Sequence, residues 1–412
     1  MKFLQLNVTA NWGSTGKIAE GIGQAAMARG WESTIAYGRN MNPSQSQLVK
    51  VGNKYDVYAH YAQHRLFDRE GLGSKRPTKR LIKWIDSYCP DIIHLHNIHD
   101  HWLNYPILFQ YLSTIDTPIV WTFHDCWAFT GGCAHFNDVN CSKWQTECGR
   151  ECKIPRALID NTHNNFQLKK RLLRDLSQNL TIVSVSHWLD SLVAKSIFKD
   201  LDHRVIYNGI DTSVFYPRAV DEINQKFTLE GKCVLIGVSN VWTERKGLND
   251  YVALCQRLPE KFVIILVGLS PRQIKSLPPR IIGIPRTNSV GELATLYSRA
   301  DAVLCLSKAE TFGLTLVEGL ACGTPSIGYA DTAIKELLSP KVGIPVRPGD
   351  IDELSKALFS LAESKICFDS GVCRKRAEQF FNKDIQYDKY VDLYSELLSV
   401  DNQIITPPPL RH

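Results

Sequence analysis

Two carboxylates eight residues apart, Glu310 and Glu318, flank a turn in LSKAETFGLTLVEGLACGTPSIGY, residues 306–329. A strand is expected to end near Ser307 and a helix to begin near Thr315, with Glu318 in its first turn. A helix start offers amides and the positive end of a dipole to a phosphate, and each carboxylate can accept a pair of sugar hydroxyls. Such a set suits the grip on a phosphorylated sugar. Thr315 and Glu318 also fit a capping box, in which the glutamate only closes the helix start. A basic pair, Arg245-Lys246, occupies another expected turn in GVSNVWTERKGLNDYVAL. It suits phosphate, or it is a solvated pair at a helix start.

A third anion-suited turn is NWGSTGKIAE, residues 11–20. A nucleotide-hydrolase P-loop needs glycine, four residues, then Gly-Lys-Ser/Thr. Here Asn11 stands at the first glycine position and Ile18 where the magnesium hydroxyl should be, which excludes that motif. KFLQLNV still reads as a buried strand and GKIAEGIGQAAMARG as a helix ending at Gly30. The turn between them, with Gly13 and Gly16, retains its phosphate-facing character.

The elements that position these turns alternate along the chain. KFLQLNV, STIAYG, PDIIHLH, TPIVWTFH and TIVSVS are expected strands, then KCVLIGVS, FVIILVG, DAVLCLS and TPSIGY, with helices between. Apolar runs of this kind imply parallel sheets covered on both faces. The pattern restarts after a polar stretch, 216–232, read as a linker, and 412 residues fit two domains of roughly 200 each. The expected fold is therefore α/β, with two doubly wound Rossmann-like domains, and ligands are sought in the loops at the carboxyl ends of the strands.

A content of 44% hydrophobic and 22% charged residues is that of a globular chain. The longest apolar run, FVIILVGL, is far short of the ~18 residues a membrane span needs. No small-residue cleavage site follows the N-terminus, so a cytoplasmic location is expected. Of twelve cysteines, Cys233, Cys255 and Cys305 lie in apolar elements and read as reduced core residues. Cys133, Cys141, Cys148 and Cys152, with Cys126 and His135 nearby, lie in a polar loop, 126–152, which they staple either as a zinc site or as unliganded or redox-paired thiols. The net charge of +6 is concentrated between Arg65 and Lys83. There Leu81, Ile82, Ile85 and Cys89 share a helical face opposite the basic residues. That face is either simply solvated or drawn to anionic lipid or a phosphorylated acceptor. No aromatic interleaving accompanies the charge, so nucleic acid is not an expected partner.

The Glu-x7-Glu pattern in ETFGLTLVEGLACGTP resembles the signature of the retaining GT-B glycosyltransferases of family four, the glycosyl transferases group 1. PDIIHLHNIHDHWLNY and VWTFHDCWAFTGGC resemble the histidine-bearing loops of that family, and the second is especially similar to those of bacterial capsule and O-antigen enzymes, to which the resemblance is greatest. VIYNGIDTSVFYP resembles the exit from the first domain in that family. The resemblance implies domains at 1–215 for the acceptor and 216–385 for the donor, and a segment, 386–412, whose helix crosses back to the first domain. It implies that Glu310 holds the transferred sugar, Glu318 the ribose, and Lys246 with Arg245 the donor diphosphate. Phe312, Gly313, Leu314 and Thr315 would complete the donor site, Gly13 and Gly16 would face the cleft near the donor phosphate, and His124 would lie against the donor sugar. Asn240 departs from the arginine usual six residues before the lysine, and YADTAIKE lacks the common Gly-Gly before Glu336. His94, His99, His101 and His135 are expected to be structural.

The activity so implied is transfer of a sugar from a nucleotide-sugar donor, a UDP-hexose, to a lipid-linked or soluble glycan acceptor. Peripheral contact with an anionic membrane goes with it. No cofactor is expected. Asp200-Leu-Asp202 precedes a strand instead of following one, so no catalytic metal is expected either. A phosphorylase or epimerase of the same shape, and a noncatalytic scaffold, are the rival classes.

Overall fold

Apolar runs joined through helices leave a strand little choice but to pair in parallel with its neighbours. The computed structural model, which describes residues 1–149, 157–176 and 179–404, has two such sheets. They belong to two compact units: Met1–Ile206 together with the segment from Gln386, and Tyr207–Ile385.

The first unit holds β1 (Lys2–Asn7), β2 (Glu32–Tyr37), β3 (Gln47–Lys50), β4 (Ile92–Leu95), β5 (Ile119–Phe123), β6 (Leu180–Ser184) and β7 (Asp202–Val205). Their order is β3-β2-β1-β4-β5-β6-β7, all parallel. The order reverses between β1 and β4, which is where a doubly wound sheet opens a crevice. β4 and β5 are buried along their whole length, with no alternation, because helices cover both faces.

The last helix, Lys383–Ile404, supplies Tyr387, Tyr390, Val391 and Tyr394 to the core formed by Phe3, Ile18, Ile22 and Val120. Gly21 admits it, since a Cβ there would sit 2.2 Å from the Tyr387 ring. Its hydroxyls also serve the interior: Tyr394 lies 2.7 Å from His94 Nδ1, and Tyr390 3.2 Å from Thr122 Oγ1.

The second unit holds β8 (Cys233–Val238), β9 (Phe262–Val267), β10 (Ile281–Ile284), β11 (Ala302–Cys305), β12 (Ser326–Tyr329) and β13 (Gly343–Val346), in the order β10-β9-β8-β11-β12-β13. Its reversal falls between β8 and β11. The stretch 216–232, expected as a linker, contains a helix, Asp221–Phe227, anchored by buried Ile223. Asp202 opens β7 and pairs with Arg204 on the surface, so the Asp200–Asp202 stretch does lead into a strand. Among the described residues no helix is long and apolar enough to cross a membrane.

Candidate functional site

The two strands at the reversal of the second sheet each end in one of the chemistry-bearing turns. After β8 the chain runs through a tight turn, Glu244–Lys246, to Gly247, which enters the helix Leu248–Arg257. Gly247 has φ 78°, and a Cβ there would meet the Leu306 carbonyl at 2.2 Å, so only glycine lets the two loops stack. They are stitched together by bonds to backbone oxygens: Lys308 N–H donates to Arg245 O at 2.9 Å, and the Arg245 guanidinium donates to Ala309 O at 2.8 Å. Lys246 Nζ then donates to Glu310 Oε1. Burial alone would raise the Glu310 pKa. The charge and hydrogen bond of Lys246, with help from Arg245 and Ser307, outweigh it and hold the carboxyl below its ordinary range. Asn240 is exposed on the same loop.

The helix after β11 spans Leu314–Ala321, and its N-cap is Gly313 at φ 105°. Glu318 therefore lies in the second turn, not the first, and Thr315 is inside the helix, so the two cannot form a capping box. The first turn carries no acidic residue and no side-chain cap, leaving its amides oriented toward an anion. Tyr297 donates to Glu318 Oε2 at 2.8 Å from the adjacent helix Val290–Arg299. Phe312 is buried, with its ring 5.8 Å from both Tyr207 and Phe381, so only its backbone is available to a ligand. Leu314 and Thr315 are half-buried. The loop after β12, departing from the family pattern, backs this site: Thr332 Oγ1 accepts from Glu310 N at 3.4 Å, and Ala333 N donates to Glu310 O at 3.3 Å. Thr332 was not singled out from sequence, although its position after the neighbouring strand was the available signal.

In the first unit the loops after β1, β4 and β5 meet. Gly13 is open, with φ 67°, and begins the helix Gly13–Ala28, whose first turn has no acidic residue and no side-chain cap. At Gly16 a Cβ would press on Thr9 Oγ1 at 2.7 Å, so this glycine lets the loop close against its helix. His124, following β5, stacks on His96, following β4, with His96 Nδ1 3.1 Å from His124 Nε2.

Gln5 fixes the protons of that pair. Its amide nitrogen donates to Ala19 O at 2.8 Å, which turns Oε1 toward His96 Nε2 at 3.0 Å. A carbonyl only accepts, so His96 is protonated on Nε2 and accepts on Nδ1. His124 must then donate from Nε2. Burial lowers the His124 pKa to about 4, and that of His96 well below its ordinary value, so both are neutral at pH 7. Gln5 and His96 were missed in sequence. The two-residue spacing of His94 and His96, on one face of a strand end, was the only cue.

His94 and His99 are held in different ways. His94 is buried between Thr122 and Tyr394. His99 lies 3.0 Å from Asp125 and 3.7 Å from Glu70. Burial would lower its pKa, but these two carboxylates reverse the effect and hold it at about 10. The cysteine-rich loop has its own aromatic core, with Phe136 stacked on Trp144 and Phe129 against both. Buried Lys169 enters beneath it, donating to Trp127 O at 2.6 Å and Thr130 O at 3.0 Å. Cys133 and Cys148 are buried and Cys141 half-buried, while Cys152 lies outside the described residues. Among the described residues these cysteines form no three-ligand group.

The basic helix spans Lys75–Tyr88, with Leu81 and Ile85 buried and Lys75, Arg76, Lys79, Arg80 and Lys83 exposed. Cys89 is exposed, not on the apolar face, because the helix ends at Tyr88 and Cys89 turns away at φ 50°.

The family descriptions Glycosyltransferase Family 4 and Glycosyl transferases group 1 match residues 16–214 and 219–380 respectively. A relative in Escherichia coli K12, WcaC, bears the name of a colanic acid biosynthesis glycosyl transferase and is 24% identical over 96% of this chain and 100% of its own. Sucrose-phosphate synthase from Thermosynechococcus elongatus superposes with a TM-score of 0.73 at 18% identity, covering 97% of this chain and 99% of its own. HepE of Anabaena, solved with UDP and glucose, gives a TM-score of 0.66 at 16% identity over 96% and 99%. The two matched regions account for the two units in turn, and the chain belongs to the group 1, family 4 glycosyl transferases, with the GT-B fold.

Proposed function

We propose that the chain is a retaining transferase that moves a hexose from a UDP-sugar to a hydroxyl of a glycan carried on a polyprenyl diphosphate, without a catalytic metal. The observation that carries this reading is the Lys246–Glu310 pair at the sheet reversal, beside an uncapped helix start. A cation, a guanidinium and a row of amides suit a diphosphate, and a carboxylate held ionised beside them suits sugar hydroxyls. Glu318, steadied by Tyr297, would take the ribose hydroxyls. In the first unit, neutral His124 suits a sugar hydroxyl and the helix start at Gly13 suits a phosphate. HepE, solved with UDP and with UDP-glucose, supports the choice of base and sugar.

In the proposed step the acceptor oxygen bonds to the anomeric carbon as the bond from that carbon to the diphosphate oxygen breaks. The acceptor proton passes to the departing diphosphate on the same face. Lys246 and Arg245 stabilise the charge that builds there.

Membrane contact is part of the same reading. The exposed basic helix has a companion patch: Leu158 N donates to Arg65 O and Ile159 N to Leu66 O, which gathers exposed Leu66, Phe67, Leu158 and Ile159 beside Arg65. Apolar residues rimmed by cations suit an anionic lipid surface.

The testing experiment measures UDP binding by thermal shift and turnover in parallel. Glu310→Gln should keep UDP binding and lose most transfer, whereas Glu318→Gln should weaken UDP itself. Unchanged turnover in Glu310→Gln overturns the assignment.

A further inference from the structure

The helix Lys54–Phe67 ends at Asp68, whose left-handed backbone, φ 50°, turns the chain so that Glu70 returns beside His64. Across from them the loop after β4 carries Asp100 and His101, two consecutive non-glycine residues at φ 76° and 71°. Such conformations cost about 1–2 kcal/mol each. They aim the His101 ring at His64, with the two rings stacked at 5.0 Å. One ligand atom from each of His64, Glu70 and His101 lies within 4.8 Å of the other two.

The outer contacts of these rings leave their inner nitrogens facing each other. Asp100 Oδ1 lies 3.3 Å from His101 Nδ1, and Arg39 holds Asp100 at 2.6 Å through its other oxygen. A carboxylate only accepts, so the His101 proton belongs on Nδ1 and Nε2 presents a lone pair. His64 Nε2 lies 3.9 Å from Asp68 Oδ1, too far for a hydrogen bond, so without an ion His64 donates from Nδ1 to His101 Nε2, a proton that a metal would displace. The inner nitrogens, His64 Nδ1 and His101 Nε2, then face each other at 2.7 Å with Glu70 on the third side. Outer carboxylates of this kind orient imidazoles toward a metal. Glu70 is oriented too, by Trp127 Nε1 at 3.1 Å. Neighbouring His60 is excluded from the set, because Gly73 N–H takes its Nε2 and Ser74 Oγ lies 3.0 Å from its Nδ1.

We propose that His64, His101 and Glu70 form a binding site for a divalent transition cation of the zinc class. Two imidazoles and one carboxylate suit zinc or its neighbours and not magnesium or calcium, which take oxygen ligands. Side-chain rotation opening the nitrogens to ~3.3 Å gives the spacing of two ligands on a tetrahedral ion, with a fourth position for water. The cation pins the loop after β4 to the helix Lys54–Phe67. The same loop carries His99, whose partner Asp125 adjoins His124, so the site buttresses the histidine that the proposed function uses.

The test uses the full chain without a histidine tag, stripped by chelator and titrated with Co²⁺ and Zn²⁺. One equivalent of Co²⁺ should give visible d–d absorption without thiolate charge-transfer bands. His101→Gln should abolish that absorption and weaken Zn²⁺ at least about 100-fold, and Asp100→Asn, which leaves all three ligands in place, about 10–100-fold. Circular dichroism establishes that each variant is folded. Absorption carrying only thiolate bands, or Zn²⁺ affinity unchanged in both variants, overturns the proposal.

Discussion

Replacing Lys246 by methionine keeps the aliphatic stem and removes the charge, so it isolates what the ion pair contributes. Glu310 and Lys246 are 17% and 25% exposed at the side chain, well inside the surface yet short of full burial. Breaking a fully buried pair costs about 3–5 kcal/mol and an exposed one about 0–1 kcal/mol. Lys246→Met should therefore destabilise the second unit by about 1–3 kcal/mol at pH 7. Adding Glu310→Gln should return much of that loss, giving a coupling above about 1 kcal/mol.

The folded pKa of Glu310 lies below its ordinary value. The contribution is then complete above about pH 4.3 and is lost as pH falls through the folded pKa. Hydrogen exchange at the β8 and β11 amides, which reads this unit alone, measures the four members of the cycle at pH 7 and again below pH 4. A coupling under about 0.5 kcal/mol at pH 7, or one that does not shrink in acid, refutes the claim that this pair locks the two loops together.

Gly247→Ala should cost at least about 2 kcal/mol and abolish UDP binding, because the new methyl meets a backbone carbonyl; an unchanged UDP thermal shift contradicts this. His99→Gln should destabilise the first unit most below about pH 6.5, with the deficit shrinking as pH rises through about 10, the sign expected when the folded pKa is raised; urea midpoints across that range check it. Reversing Lys75, Arg76, Lys79 and Arg80 to glutamate should release the protein from acidic vesicles, at about 1 kcal/mol per residue in low salt, and spare a short soluble acceptor. Leu158→Ser with Phe67→Ser should weaken vesicle binding in a salt-independent way, which sedimentation at two ionic strengths distinguishes.

Nine of the thirteen strands among the described residues were legible as apolar runs, and the four that were not, β3, β7, β10 and β13, are the sheet edges. The reason is physical. An edge strand has one neighbour and a partly wet face, so QLVK and DHRV carry no apolar run to read. The turns after β8 and β11 were legible because glycine, charge and strand ends are local features. Thr332, Gln5 and His96 were not, since each acts through a residue distant in sequence that only strand order brings near. At Gly16 the limit is of another kind: sequence reports that a side chain is excluded, not that Thr9 excludes it.

The tyrosines of the last helix have a consequence for synthesis. Residues 1–206 emerge from the ribosome first, but the sheet they form meets Tyr390 and Tyr394 only after 180 more residues have been made, roughly 10–40 s of elongation. During that interval His94 and Thr122 lack the hydroxyls that satisfy them, and the apolar surface around Phe3 is uncovered. The nascent first unit is then a client for chaperones, while the second unit, continuous from Tyr207 to Ile385, can fold as it appears. The part of the chain made first is thus the last to be finished.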